Sequence, residues 1–290
     1  MLSTALTKEE LREISVIRRI NRILRDFNRS SSAQVEARKF RLELELNGMQ
    51  GSLHRDYSIF HPSSLELGSD QPSVCLRKLY YGIQAERSAS NGMWDQQTRN
   101  RFEVGHDAHG KYQGWLKWDD PDNFSLEVTA EIPDLKMRGS CDGVFDWPLS
   151  TGRVAKIGLE IKTASEKSWM SMKNLPLLKH RDQAACYAAG LGLDAVIFLY
   201  ECKNDQRLKE FVQPWSKLEP RWERIEMRLT ELIKHLEEGT LPTPRLKKYE
   251  CDACPFQGQC KPFRVEGRRT GQLTKMLTKR VNDGERRTNS

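Results

Sequence analysis

Glu160 and Lys162 stand two residues apart in Gly158-Leu159-Glu160-Ile161-Lys162, so on an extended strand they share one face. Ile157, Leu159 and Ile161 then point the other way, into a core. A carboxylate and an ammonium side by side on a strand with an apolar back need solvent, a metal ion or each other. Upstream, Arg138-Gly139-Ser140-Cys141-Asp142-Gly143-Val144 sets an aspartate mid-strand between glycines, against the preferences of both residue types. If the two strands pair, Asp142 and Glu160 meet on one face. Neighbouring carboxylates repel unless a cation lies between them, and oxygen ligands select a hard one, Mg2+ or Mn2+. Such an ion lowers the pKa of water and neutralises charge building on a phosphodiester. Lys162 would orient the attacking water and supply a fixed positive charge to the transition state.

A second group is Cys251-x2-Cys254-x5-Cys260. Three clustered thiols suit a soft metal, and a fourth ligand must come from elsewhere in the chain. Seven cysteines, an odd number without a secretion signal, argue against a disulfide framework. Cys141, Cys186 and Cys202 sit in apolar or strand contexts and read as core.

These residues need elements to position them. Thr7 with Glu10 forms a capping-box signature, and Leu11, Ile14, Ile17, Ile20, Leu24 and Phe27 follow at helical spacing, predicting one amphipathic helix over 7–28. A charged helix over 33–47 ends at Gly48, and 51–70 reads as loop. A helical patch at 75–83 and a helix at 95–117 carrying His106 and His109 come next. Strands are expected at 124–132, 136–147 and 154–163, the first two joined by a turn at Pro133–Asp134. Helices at 166–175 and 180–191, strands at 195–200 and 208–214, and a long helix at 216–238 stopped by Gly239 complete the order. Trp169, in the segment that follows the strand of Glu160 and Lys162, is a candidate for stacking on a single strand. No internal repeat is visible.

The formal charge of +7 suggests a polyanionic partner, but residues 261–290 hold nine Lys/Arg against three Asp/Glu, so the tail alone supplies +6. That tail reads either as a solubilising extension or as a nucleic-acid-binding arm. No apolar run approaches the roughly 20 residues of a membrane span, and the start lacks a signal-peptide pattern, which places the chain in a cytosol.

Asp142 followed by Glu160-Ile161-Lys162, in this order of elements, resembles the PD-(D/E)XK nucleases. Gly105-x3-His109 on the helix before the sheet and Gln183-x3-Tyr187 on the helix after it are similar to the RecB-like branch. The resemblance implies that His109, Asp142, Glu160 and the Ile161 carbonyl bind the metal. It also implies that Lys162 acts in catalysis with Glu160 and Asp142, while Gln183 and Tyr187 contact DNA or support Lys162. Cys141 stands where the family has proline before the aspartate, and His106 competes with His109, which keeps the family spacing.

Cys75, within Pro72-Ser73-Val74-Cys75-Leu76-Arg77-Lys78-Leu79-Tyr80-Tyr81, resembles the amino-terminal cysteine of the iron–sulfur nucleases of CRISPR adaptation modules. His61-Pro62-Ser63-Ser64-Leu65 is similar to their phage-encoded relatives. The resemblance, which spans residues 59–262, implies that Cys75, Cys251, Cys254 and Cys260 hold a [4Fe–4S] cluster; thiolates alone would default to Zn2+.

The expected fold is therefore α/β: a restriction-endonuclease-like core with a mixed central sheet flanked by helices, and an iron–sulfur subdomain. A helical arm is expected at 1–50, the nuclease domain at 51–263 and a basic tail at 264–290. The expected activity is an Mg2+- or Mn2+-dependent DNA exonuclease on single-stranded or end-resected DNA, in recombination or end processing, with a helicase or recombinase as partner. The alternatives are a structure-dependent endonuclease using the same site and a non-catalytic DNA-binding or assembly subunit. A bacterial or phage-infected cytosol is the expected setting.

Overall fold

The computed structural model describes residues 5–49, 56, 58–68, 74–85, 95–244, 251–252 and 254–260. The expectations for the basic tail and for Pro72 and Ser73 lie outside the described residues.

The centre is a five-stranded mixed sheet in the order β1-β2-β3-β4-β5: β1 Phe124–Ile132, β2 Met137–Pro148, β3 Val154–Ala164, β4 Ala195–Cys202 and β5 Leu208–Pro214. Only β3 and β4 are parallel; the other neighbours are antiparallel. The mixed sheet flanked by helices is the architecture the element order calls for. β1 and β2 join through a 3-10 turn at Pro133–Leu135 and Lys136, whose φ of +48° closes the hairpin. β4 is buried at all eight positions, as a central strand covered on both faces must be.

Two apolar layers cover the sheet. On one face α4 (Leu76–Gln84), α7 (Leu178–Leu191) and α8 (Trp215–Glu238) pack over Cys141, Val196, Phe198, Tyr200 and Cys202. On the other, α1 (Lys8–Glu13), α2 (Val16–Arg29) and α5 (Gln96–Asp119) pack over Phe145, Ile157, Leu159, Ile161, Ile197 and Leu199. Alternation on β3 thus sends its apolar residues to the second face, as the sequence predicts. The three buried cysteines expected in the core are there, at 0% exposure. α7 ends at Gly192 and α8 at Gly239, both left-handed, with φ of +64° and +65°.

The amino-terminal segment departs from the sequence reading. The capping box between Thr7 and Glu10 is present, but the single helix expected over 7–28 breaks at Ile14 and Ser15. The Ser15 hydroxyl accepts the Arg18 N–H at 3.2 Å, capping a second helix, and donates to Glu210 on β5. The other oxygen of Glu210 takes the Ile17 N–H at 3.1 Å. The helix breaks because the edge strand offers this partner. Ile14, Val16, Ile20 and Ile23 are buried against the sheet, worth about 1.5–3 kcal/mol each, whereas Leu24 is exposed. The arm is therefore part of the second face's core.

α3 (Ser31–Met49) runs past Gly48 and lies along α5. α6 (Glu166–Ser171) is shorter than expected. In the expected loop, Phe60 accepts the backbone N–H of Arg138 at the start of β2 and donates its own to the carbonyl of Lys136 just before that strand. Among the described residues, no helix is long and apolar enough to cross a membrane.

Candidate active site

The ladder between β2 and β3 runs from Pro148↔Val154 to Gly143↔Leu159 and stops. The next opposed pair is Asp142 and Glu160. There the Asp142 carboxylate accepts the backbone N–H of Ile161 through Oδ2 at 2.5 Å. A side chain thus satisfies an amide at the place where the strands part. Both flanking glycines have steric reasons that the sequence alone did not reveal. A Cβ on Gly143 would lie 2.2 Å from the Phe124 ring, and one on Gly139 2.7 Å from Pro62.

Oδ1 of Asp142 lies 3.3 Å from Nδ1 of His109 on α5. His106, one turn earlier, is exposed, so His109 is the histidine the fold brings to the aspartate. A third residue, missed in the sequence, joins them. Glu127 on β1 falls opposite Asp142 in the hairpin register, between the pairs Leu126↔Gly143 and Val128↔Cys141. It adopts φ +47°, a left-handed value rare for a residue with a Cβ. Gln113 on α5 donates both to Glu127 Oε1 at 2.6 Å and to the Asp142 carbonyl at 2.8 Å, and Ser140 donates to Glu127 Oε2 at 2.5 Å. One ligand atom each from His109, Glu127 and Asp142 falls within 4.8 Å of the others, a spacing that a divalent ion can bridge.

Glu160 is not in that tight trio. Its side chain has 0% exposure and is ion-paired through Oε1 with Lys162, while Oε2 accepts no hydrogen bond among the described residues. The electrostatics separate the two acids. Burial pushes Glu160 up to about 7 despite Lys162, with the Asp142 charge adding to the rise. Burial would also raise Asp142, but His109, Lys162 and the Ile161 amide together hold it below the usual carboxylate range. Burial alone would lower His109 and Lys162; the Asp142 charge outweighs it for the first, and the Glu160 and Asp142 charges for the second. The result is one ionised carboxylate and one reluctant carboxylate, both buried, with two partly exposed cation-forming groups beside them.

α7 presents its own stripe here. Gln183 and Tyr187, the predicted pair, are both buried, and the Gln183 amide donates to the Tyr187 hydroxyl at 2.9 Å. Burial, with the Glu160 charge behind it, raises the Tyr187 pKa, so the phenol stays protonated. Trp169 corrects an expectation. It is buried, with Lys209 3.6 Å and Arg207 4.4 Å from ring centroids, so its ring is already engaged by cations of β5 and its approach rather than offered to a base.

The cysteines gather at another corner. Cys75 is the N-cap of α4. From that helix Arg77 donates to the Cys260 thiol at 3.6 Å and to the Pro242 carbonyl at 2.7 Å, and Tyr81 packs on Phe256 with centroids 5.7 Å apart. Early and late cysteine segments are therefore neighbours, each of the four thiols half-buried.

The fold and cluster define a mixed-sheet α/β protein with a His/Asp/Glu/Lys group, its two carboxylates buried, that suits a hard divalent cation. No protein-family model and no curated protein matches the chain. Among solved structures it is similar to SSO0001, with a TM-score of 0.42 and 19% identity over 77% of this chain and 95% of that one. It is also similar to an alkaline exonuclease, LHK-Exo, from Laribacter hongkongensis, with a TM-score of 0.44 and 11% identity over 63% of this chain and 91% of that one. The same exonuclease in complex with dAMP gives 0.43 and 12%.

Proposed function

We propose that the chain is an Mg2+- or Mn2+-dependent deoxyribonuclease acting as an exonuclease on single-stranded or end-resected DNA. The observation that carries this reading is Glu160, a fully buried carboxylate with an oxygen that no described residue satisfies. A charge sealed in this way costs several kcal/mol unless something compensates it. A divalent ion would do so if held by Asp142, Glu160 and His109, with the Ile161 carbonyl and Glu127 as further oxygen donors. The donor set is oxygen-rich with one imidazole, which fits Mg2+ or Mn2+.

When bound, that ion supplies Lewis acidity toward water and the phosphodiester. The chain's own residues do the rest. Lys162 keeps its proton because Glu160 and Asp142 raise its pKa, and it presents a fixed cation to charge developing on the phosphate. Asp142 stays ionised and is aimed by the Ile161 amide. Gln183 and Tyr187 lock each other in place, so the α7 wall of the site is set before substrate arrives.

The preference for DNA ends follows from the sequence resemblance, as does a helicase or recombinase that delivers them. A purified-protein assay on end-labelled single-stranded DNA tests the reading. Cleavage should require Mg2+ or Mn2+, stop with EDTA, and disappear in Glu160→Ala and Lys162→Ala. Activity that persists in either variant discards the assignment. Nicking of covalently closed circles would replace the exonuclease with an endonuclease, and salt-sensitive DNA binding without cleavage would leave a non-catalytic subunit.

The corner of Cys75, Cys251, Cys254 and Cys260 belongs to the same proposal as a [4Fe–4S] site, with Zn2+ as the alternative. Its support is the donor set, four half-buried thiols, and the contact of α4 with the late cysteine segment. A cluster there ties residue 75 to residue 251 and beyond, closing a loop whose entropy is otherwise lost on folding. Iron and sulfide analysis with a visible spectrum of anaerobically purified protein decides between the two metals.

A further inference from the structure

His180, Gln183 and Tyr187 stand at i, i+3 and i+7 on α7 and form one stripe. The second and third of these the sequence already singled out; the first it did not. The His180 ring stacks on Tyr200 of β4, with centroids 5.6 Å apart and planes at 29°. Tyr200 is the direct register partner of Lys162 across β3 and β4, so the imidazole belongs to the wall beside the ammonium.

The hydrogen bonds around Tyr200 fix the state of that imidazole. Tyr200 has 0% exposure, and its hydroxyl oxygen accepts the Leu177 N–H at 3.2 Å. A buried hydroxyl also needs somewhere to send its own proton. His180 Nδ1 lies 2.7 Å away and is the one acceptor within its reach among the described residues. Tyr200 therefore donates to Nδ1, and the ring proton must sit on Nε2. Nε2 has no partner among the described residues and is not sealed from solvent. Burial and the Lys162 charge hold the His180 pKa down to about 3, which keeps the ring neutral in this form.

A neutral N–H donor, pre-aimed by a buried tyrosine and set next to a lysine, complements an anionic oxygen that the lysine alone would hold without direction. We propose that His180 Nε2–H binds a non-bridging oxygen of a DNA backbone phosphate at this site, with Tyr200 as the positioning residue that fixes its tautomer. The inference rests on the nuclease reading above and adds a substrate contact to it.

Binding of a fluorescein-labelled single-stranded oligonucleotide, followed by anisotropy in Ca2+ over a salt series, tests it. His180→Phe keeps the aromatic stack and removes the donor; its Kd should rise about tenfold, the effect of one hydrogen bond to a charged group. The slope of log Kd against log salt should not change, because a neutral donor displaces no counterion, whereas losing a cationic contact would lower it by about 0.7. His180→Gln places an amide N–H near the Nε2 position and should recover most of the affinity. Tyr200→Phe should fall between wild type and His180→Phe, since the ring then samples both tautomers.

An unchanged Kd in a folded His180→Phe protein overturns the proposal. So does a His180→Gln variant as weak as His180→Phe, which would mean that the ring only packs. A wild-type protein that binds no DNA removes both this inference and the nuclease reading. Metal-dependent cleavage that needs Lys162 but ignores His180 removes this inference alone.

Discussion

The backbone N–H of Ile161 bonds Oδ2 of Asp142 at 2.5 Å, at the position where β2 and β3 cease to pair. The aspartate is thereby aimed by the strand that carries Glu160 and Lys162, and its free oxygen Oδ1 turns to His109. Asp142→Asn can keep the acceptor for Ile161 while losing the charge. Cleavage should fall at least about 100-fold, the usual scale for removing one electrostatic contributor. Asp142 has a depressed pKa, so the stability it contributes is present above its unfolded value near 3.9 and is lost as pH falls through the folded value. Melts in EDTA should therefore show the variant less stable at pH 7, with the gap shrinking as pH falls below the unfolded value. A gap that widens in acid would contradict this account.

Glu160 behaves oppositely. Its folded pKa is raised to about 7, so the protonated form is the one folding prefers. That preference is fully favourable below the unfolded value near 4.3 and is lost as pH rises through about 7. Glu160→Gln should then stabilise the metal-free protein at pH 8 by a few kcal/mol, on the scale of about 1.4 kcal/mol per pKa unit. The gain should shrink steadily toward pH 4.5. Mn2+ should stabilise wild type more than the variant. A variant less stable than wild type at pH 8 in EDTA would show that the buried charge is better compensated than its surroundings imply.

How far the sequence carries the site follows from these two residues. Period-two alternation puts Glu160 and Lys162 on one face and Ile161 on the other, and β3 obeys it because both faces are packed. Opposed placement of Asp142 and Glu160 follows once the strands pair. What alternation does not hold is the unpairing at that point, or the Phe124 ring that leaves no room for a side chain at Gly143. Glu127 was reachable in principle: a hairpin turned at 133–136 puts 127 opposite 142. It escaped because its left-handed backbone and its Gln113 and Ser140 partners are tertiary facts. The break at Ser15 was hidden for the same reason, its cause being Glu210 nearly two hundred residues away. His180 carried a helical-spacing signal ahead of Gln183, but only the register of β3 with β4 sets Tyr200 beside Lys162.

Glu127→Gln tests whether the third member of the close trio takes part in metal binding. The amide retains an oxygen for Gln113 and can donate to Ser140, so shape and hydrogen bonds persist while the charge goes. The Mn2+ Kd from calorimetry should rise about tenfold, and the Mn2+ needed for half-maximal cleavage should rise in proportion. At saturating metal the rate should return to that of wild type. Equal Mn2+ affinity in the two proteins would make Glu127 a surface carboxylate with good partners and nothing more.

Cys254→Ala and Cys186→Ala separate a proposed cluster ligand from a core thiol. Cys186 is fully buried on α7, so its loss should cost about 1 kcal/mol of packing and leave the visible spectrum intact. Cys254→Ala should bleach any iron–sulfur absorbance and lower the melting temperature far more, because it would open the loop that the proposed metal closes. Equal effects of the two substitutions on absorbance and melting would argue against metal at that corner.

The link between Ser15 and Glu210 fixes the amino-terminal helices to the edge strand, and it joins a helix cap to a partly buried carboxylate. Ser15→Ala removes the cap on α2 and leaves one Glu210 oxygen with only its remaining surroundings. A lost cap costs about 1 kcal/mol and an abandoned partner of a charged group about 1–3 more, so a loss of 2–4 kcal/mol is expected. Ser15→Thr keeps the hydroxyl and should lose far less. Because Ile14, Val16, Ile20 and Ile23 cover the face that backs Ile161, loosening α2 also loosens the strand that aims Asp142. Ser15→Ala should therefore raise the Mn2+ Kd modestly as well as lower stability. A variant that loses stability with unaltered Mn2+ affinity would show that the arm supports the sheet without reaching the site.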